Sequence, residues 1–177
     1  MSLFKTLCIV AFAASLSVFE LHSQPTDSSI PEEAKTRLDH IVGKWKFRTD
    51  YLDRNGDVSR SVNGFEEANY IIGNSVVELT TTVNGSVSKG WMFYNSEERS
   101  FQLTSVDGSG IYWKFSGGLE EYVITSDPKR RTNGREITLR FTHLEIEEDS
   151  FQAVMESSID GGKTWWTRSR QYLERVE

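Results

Sequence analysis

Residues 44–51 read Lys-Trp-Lys-Phe-Arg-Thr-Asp-Tyr, and this strict alternation decides the fold class. Trp45, Phe47, Thr49 and Tyr51 share one face, while cationic and acidic side chains occupy the other. Successive side chains of a β-strand point to opposite sides, whereas a helix would repeat every three to four residues. The segment therefore predicts a β-strand with one buried face.

The same period of two recurs along the chain. Further alternating sets are Val77, Leu79, Thr81 and Val83; Trp91 and Phe93; Phe101 and Leu103; Ile111, Trp113 and Phe115; Ile137, Leu139 and Phe141; Phe151, Ala153 and Met155. About nine turn signals separate such segments, among them Asn55-Gly56 and Asn84-Gly85. Asn-Gly supplies the positive φ angles that tight hairpins need. About ten antiparallel strands follow, joined too closely for the crossovers of a parallel sheet.

Ten strands joined by hairpins must close into a barrel or split into a sandwich to protect their edges. The absence of a long crossover favours the barrel. In residues 32–42 the apolar positions Ala34, Leu38 and Ile41 recur at helical spacing, and Gly43 follows them. We therefore predict an all-β, up-and-down antiparallel β-barrel of about ten strands over residues 32–177. A short N-terminal helix is expected to pack across one open end.

The N-terminus has the layout of a secretory signal peptide. Lys5 is followed by an apolar run over residues 7–19, which Glu20 ends too early for a transmembrane helix. We expect a signal peptide over residues 1–24, a flexible leader over 25–31, and a secreted or periplasmic protein without an integral membrane span. Cys8 is the only cysteine of the chain, so the mature domain must rely on its core rather than on disulfides.

Charge and composition exclude several function classes. The net charge is −6 and no long basic run is present, which argues against nucleic-acid binding. Beyond the predicted signal peptide only His40 and His143 remain, without cysteine, so no metal-ligand spacing is visible. No glycine-rich phosphate loop occurs between a strand and a helix. The sequence predicts no metal site and no cofactor.

Four segments resemble an uncharacterised family of secreted bacterial lipocalin-like, calycin-type β-barrel domains. They are residues 41–45 (Ile-Val-Gly-Lys-Trp), 90–95 (Gly-Trp-Met-Phe-Tyr-Asn), 112–118 (Tyr-Trp-Lys-Phe-Ser-Gly-Gly) and 158–165 (Ser-Ile-Asp-Gly-Gly-Lys-Thr-Trp). The resemblance covers most of residues 38–175 and implies a fold but no activity and no catalytic residues. In calycins the tryptophan at the position of Trp45 closes one barrel end, and an arginine from the last strand packs over it. Arg168 and Arg170 are candidates for that arginine.

Residues 158–165 also match the Asp-box pattern Ser-x-Asp-x-Gly-x-x-Trp of sialidase-like propellers. A propeller needs several copies and several four-stranded blades, and this chain has one copy. We therefore interpret the motif as a hairpin staple, in which Asp160 bonds the turn backbone and Trp165 packs beneath it.

The last predicted strand carries the best candidates for a ligand site. If Arg168, Arg170 and Tyr172 face the lumen, they offer two guanidinium groups and a phenol to an anionic head group. The Arg170-x-Tyr172 spacing resembles the one that fatty-acid-binding barrels use for a carboxylate. If this face lies outside, both arginines are solvated or paired with acidic neighbours.

Aromatic residues complete the predicted ligand site. Trp45, Trp91 and Trp113 are predicted to line the walls, and His143 shares a strand face with Phe141 and is a further candidate. The leading hypothesis is a barrel that binds a small apolar or amphipathic molecule.

Two other function classes stay open at this stage. A cofactor-free calycin-like enzyme would require His143 to converge with a carboxylate such as Glu78 or Glu156. A protein-interaction module would have a filled core and an exposed aromatic patch, formed by residues such as Tyr94, Tyr112 or Trp165.

Overall fold

The computed structural model of the protein describes residues 30–176, in which one helix precedes eleven strands. The elements are α1 Glu32–Ile41, β1 Gly43–Leu52, β2 Val58–Ile72, β3 Val76–Val83, β4 Ser86–Asn95, β5 Ser100–Asp107, β6 Tyr112–Gly117, β7 Val123–Ser126, β8 Lys129–Arg130, β9 Glu136–Leu144, β10 Ser150–Ser158 and β11 Trp166–Arg175. The predicted signal peptide, most of the predicted leader and Glu177 lie outside the described residues.

Ten of the strands close into an antiparallel barrel. β1 to β7 pair in chain order, β7 then pairs with β9, and β9, β10 and β11 lead back to β1. The two-residue β8 pairs with the start of β9 and stands outside this cycle. The predicted all-β barrel with a short N-terminal helix is confirmed. Closure removes the free sheet edges that a ten-strand sheet would otherwise expose.

Helix α1 covers one end of the barrel. Ala34, Leu38 and Ile41 are buried in a cluster with residues such as Ala68 and Met92 from the barrel wall. Their spacing of three and four residues places them on one stripe of the helix, which faces the core. The opposite end of the barrel carries the hairpin loops between β1 and β2, between β3 and β4, and between β10 and β11.

A buried arginine ties α1 to the loop after β6. Arg37 is 3% exposed, and its guanidinium donates hydrogen bonds to the backbone oxygens of Gly118 (3.3 Å) and Glu121 (2.8 Å). The same group lies 4.2 Å from the centre of the Phe101 ring. Burial lowers the pKa of Arg37 to about 10. The guanidinium thus meets carbonyl oxygens and an aromatic face rather than a carboxylate.

Trp45 plugs the helix-capped end, and Arg175 covers it. The indole Nε1 donates to the Ile41 oxygen at 2.8 Å, and Trp45 is 1% exposed. The Arg175 guanidinium lies 4.1 Å from the centre of the indole and donates to the backbone oxygens of Val42 (2.7 Å) and His40 (3.1 Å). The covering arginine is therefore Arg175, not Arg168 or Arg170, because the register pairs Trp45 with Arg175.

The hairpin between β10 and β11 has the contacts of a staple. Asp160 accepts hydrogen bonds from the backbone N–H groups of Lys163 (3.1 Å) and Thr164 (3.0 Å) and from the Thr164 hydroxyl (2.6 Å). Trp165 Nε1 donates to the Gly162 oxygen at 2.9 Å. The hydrogen bonds from Thr164 are the main cause of a lowered pKa for Asp160. The motif fixes a turn, as its sequence predicts.

The strand pairing of the barrel is shortest where β7 joins its neighbours. Two residue pairs connect β6 to β7, and three connect β7 to β9. Beyond those pairs, Lys129 Nζ donates to the Tyr112 oxygen at 2.7 Å and lies 4.7 Å from the centre of the Trp113 ring. A side chain thus bridges a stretch of wall in which the backbone ladder is short.

Candidate functional site

A cavity of about 100 Å³ lies inside the barrel below α1. Most of its lining is apolar: Ile41, Leu79, Met92, Leu103, Ile124, Phe141, Phe151, Ala153 and Leu173. Three polar side chains, Glu66, His143 and Gln171, complete it. An apolar pocket with a few polar groups is the usual composition of a small-molecule site.

Glu66 supplies the carboxyl group of the cavity. It lies on β2, and the register places it between Trp45 on β1 and Thr81 on β3. The Thr81 hydroxyl donates to Glu66 Oε2 at 2.8 Å, and within residues 30–176 no hydrogen bond reaches Oε1. Burial raises the pKa of Glu66, and the bond from Thr81 opposes this only in part. The protonated, uncharged form is therefore favoured relative to a carboxyl group in water.

His143 lies on β9 and lines the same cavity. Its ring packs against Phe151, with the ring centres 5.0 Å apart. Burial is the largest of three effects, with the charges of Arg37 and of His40, that together lower the pKa of His143 to about 4. The imidazole is therefore neutral at pH 7, with one nitrogen as donor and the other as acceptor.

Of the sequence-predicted site residues, His143 lines the cavity and the three from the last strand do not. Arg168 and Arg170 are exposed, and Arg170 pairs with Asp50 and Val154 on the outer face of the wall. Tyr172 lies on that outer face too, under the Arg48 guanidinium at 4.9 Å. An anion clamp inside the lumen is therefore not formed by these residues, because their strand parity is the outward one.

The three predicted wall tryptophans take three different positions. Trp45 is buried in the plug of the capped end, and Trp113 faces inward and packs against the main core cluster. Trp91 faces outward, because its neighbour Met92 is 2% exposed and pairs with the inward Val77. Within the described chain none of the three lines the cavity.

The carboxylates expected for an enzyme do not meet His143. Glu78 accepts a hydrogen bond from Lys89 at 2.7 Å, and Glu156 accepts one from Arg140 at 2.8 Å, both on the outer face. The carboxyl group that shares the cavity with His143 belongs to Glu66 instead. The convergence with His143 that the enzyme alternative requires of Glu78 or Glu156 is therefore not formed.

The aromatic patch expected for an interaction module is not formed. Tyr94 is buried at 7% exposure, and its ring packs against Phe101 with the centres 5.4 Å apart. Tyr112 is half exposed, while Trp165 is covered by the Arg140 guanidinium at 4.2 Å. These three side chains therefore do not form a joint apolar surface.

Sequence reasoning missed Glu66 and Gln171. Glu66 shares its strand face with Gly64 and Ala68, so the middle of that face carries no large apolar side chain and gives no alternating signal. The available signal was the pair of turns at Asn55-Gly56 and Gly73-Asn74, which bracket a strand. Gln171 follows Arg170 directly and so lies on the opposite strand face, and taking that face as the inward one identifies it.

Comparisons with known proteins give the fold. The chain is similar to the crystal structure of Rv2717c from M. tuberculosis, with a TM-score of 0.54 and 13% identity, over 81% of this chain and 98% of that chain. It is also similar to the S-type phycobiliprotein lyase CPES from Guillardia theta, with a TM-score of 0.53 and 12% identity, over 81% and 92% of the two chains. No protein-family model and no curated protein sequence matches this chain.

Among residues 30–176 no helix has both the length and the apolar character required to cross a membrane. Identities of 12% and 13% carry no site residue from either similar structure to this one. What the likeness and the geometry establish together is a closed antiparallel β-barrel, capped at one end by α1, Trp45 and Arg175, with a small cavity beneath that end.

Proposed function

We propose that the protein binds a small, largely apolar molecule in the lumen of its barrel. The cavity below α1 carries the proposal, because nine apolar side chains surround three polar ones that can orient a guest. The low pKa of His143 supports an uncharged imidazole in this wall at pH 7, which favours an apolar guest. A calycin-like barrel is compatible with this role.

The cavity volume limits the size of the ligand. At about 100 Å³ it lies below the roughly 300–1,000 Å³ of sites for drug-sized molecules. It equals the liquid volume of about three water molecules and is smaller than the roughly 150 Å³ cavity that holds benzene. The proposed ligand is therefore compact, with a short carbon chain rather than a long acyl chain.

We also propose that the chain is exported. Residues 1–24 combine Lys5 with an apolar run of signal-peptide length. Measuring the intact mass of the protein from its own host tests this proposal. A mass that corresponds to a chain starting near residue 25 supports export, and the mass of the uncleaved chain contradicts it.

Native mass spectrometry of protein purified gently from its own host tests the binding role. We expect a reproducible extra mass on the wild type. Ala153 is 7% exposed and lines the cavity, so Ala153→Leu should fill the space and remove that mass. Val154→Leu is the matched control, because Val154 pairs with the outward Arg170. A clean unliganded mass for the wild type, or an adduct that survives Ala153→Leu, would contradict binding in the lumen.

A further inference from the structure

We infer that the lumen site selects ligands that present a hydrogen-bond donor, a hydroxyl or a protonated amine, to the Glu66 carboxyl group, and that it rejects carboxylates. The inference rests on the proposed function and specifies its ligand class. The inferred ligand class is the opposite of the one that the sequence of the last strand suggests, which is an anion held by arginines.

The geometry of Glu66 points to a donor on the ligand. Thr81 occupies Oε2 at 2.8 Å, while Oε1 has no hydrogen-bond partner within residues 30–176. An ionised carboxylate only accepts hydrogen bonds, so Oε1 of ionised Glu66 is open to a donor on the ligand. A ligand hydroxyl or ammonium group in the cavity would supply the missing partner, and a purely apolar guest would not.

The two arginines of the helix-capped end donate hydrogen bonds to backbone oxygens, although Arg37 Nε has no hydrogen-bond partner within residues 30–176. Arg37 donates to the Gly118 and Glu121 oxygens, and Arg175 donates to the Val42 and His40 oxygens. No lysine or arginine is among the lining residues of the described chain. A bound carboxylate would therefore lack a cationic partner.

Glu66 adds a direct penalty against an anionic guest. Two carboxyl groups in one small, mostly apolar site cannot both ionise without strong repulsion. A carboxylate ligand would have to take up a proton or force Glu66 to remain protonated. The neutral His143 imidazole does not offset that cost. Alcohols and ammonium ions avoid it.

Three probes with the same branched carbon skeleton test the inference. Isobutanol, isobutylammonium and isobutyrate are titrated separately into the full chain at pH 7, and chemical shifts of the Leu79, Leu103 and Leu173 methyl groups report lumen binding. We expect isobutanol and isobutylammonium to bind at least about tenfold more tightly than isobutyrate. Equal or tighter binding of isobutyrate overturns the inference.

Charge-removing variants identify the responsible group. Glu66→Gln should weaken isobutylammonium binding by about tenfold or more. The difference in affinity between isobutylammonium and isobutyrate should become smaller. Glu67→Gln is the matched control, since Glu67 is the exposed next residue on the outer face and approaches Lys44 only at 4.0 Å. An unchanged probe preference in Glu66→Gln, with the fold intact, overturns the role of Glu66.

Xenon separates the two proposals. Xenon enters dry apolar cavities without a polar requirement, so it should shift the same methyl signals in the wild type and in both variants. Xenon shifts without the preference for donor-bearing probes would overturn the ligand class while leaving lumen binding in place. An absence of shifts with xenon and with all three probes would overturn both.

Discussion

Arg175 joins the last strand to the helix-capped end through three contacts. Its guanidinium covers the Trp45 indole at 4.1 Å and satisfies the backbone oxygens of Val42 and His40, which the end of α1 leaves without intrahelical partners. Arg175→Ala removes the stacking on the indole and leaves two backbone carbonyl groups without hydrogen-bond donors. We expect the free energy of unfolding to fall by about 2–4 kcal/mol, measured by urea denaturation.

Arg170→Ala is the control for that measurement. Arg170 is an exposed arginine on the same strand, and a surface substitution of this kind is expected to change stability by no more than about 0.5 kcal/mol. If both variants lose the same amount of unfolding free energy, the contacts of Arg175 at the barrel end do not contribute to stability beyond those of an exposed arginine.

His143 should make stability depend on pH in the acidic range. Its pKa is lowered from 6.5 to about 4, so below pH 6.5 the unfolded chain takes up a proton that the folded chain refuses. Stability is therefore lost as the pH falls from about 6.5 to about 4, by up to about 3 kcal/mol. Urea denaturation across this range should show a smaller loss in His143→Gln than in the wild type.

Other groups titrate in the same range, so the difference between the two proteins is the informative quantity. Glu66 acts in the opposite sense, because its pKa is raised and its contribution to stability declines as the pH rises. Parallel pH profiles for wild type and His143→Gln would mean that His143 is charged or solvated in the folded protein.

At the scale of elements, β2 shows where sequence patterns lose their power. It is the longest strand, yet its inward positions include Gly64, Glu66 and Ala68, which are small or acidic. Hydrophobic alternation finds strands whose buried face packs with large apolar side chains, as in β1. A face that borders a cavity need not carry such side chains. The alternation therefore leaves unmarked the segment that supplies the candidate carboxyl group.

The parity of β11 could not be read from sequence for a different reason. The register shifts between Met155 and Glu156, so Arg168 is an extra residue opposite this point of β10. Such a bulge moves Trp166 to the face opposite that of Arg170. Turn positions and strand number depend on local residues and could be predicted. Inward and outward faces depend on the register between distant strands, and a shift of one residue exchanges them.

A substitution at Gly117 tests how closely β6 and β7 approach each other. A Cβ atom at this position would collide with the Val123 carbonyl oxygen and come within 3.0 Å of Ile124 Cγ2. Gly117→Ala must push β7 away where only two residue pairs hold it, so we expect a loss of about 1–3 kcal/mol in urea denaturation.

The adjacent Gly118 provides the matched control. A Cβ atom there would have no heavy atom within 4 Å, and Gly118 is not among the positive-φ glycines. Gly118→Ala should therefore leave stability within about 0.5 kcal/mol of the wild type. An equal loss in both variants would point to chain flexibility rather than to the close approach of β7.

At the scale of the whole molecule, the barrel is closed, but the number of paired residues differs widely between neighbouring strands. Ten residue pairs join β1 to β2 and seven join β1 to β11, whereas two join β6 to β7 and three join β7 to β9. Opening a closed barrel requires breaking two ladders around one strand, and β7 has the shortest ladders of the cycle. Local unfolding starts where few hydrogen bonds and little buried surface must be given up.

Native-state hydrogen exchange can detect this unevenness. We expect the hydrogen-bonded amides of β7 to exchange at least about tenfold faster than those of β1, corresponding to an opening free energy lower by about 1.4 kcal/mol or more. Added urea should accelerate exchange in β1, which requires global unfolding, more steeply than exchange in β7. If both strands show the same opening free energy and the same urea dependence, the barrel opens as one unit and the short ladders of β7 do not set its local stability.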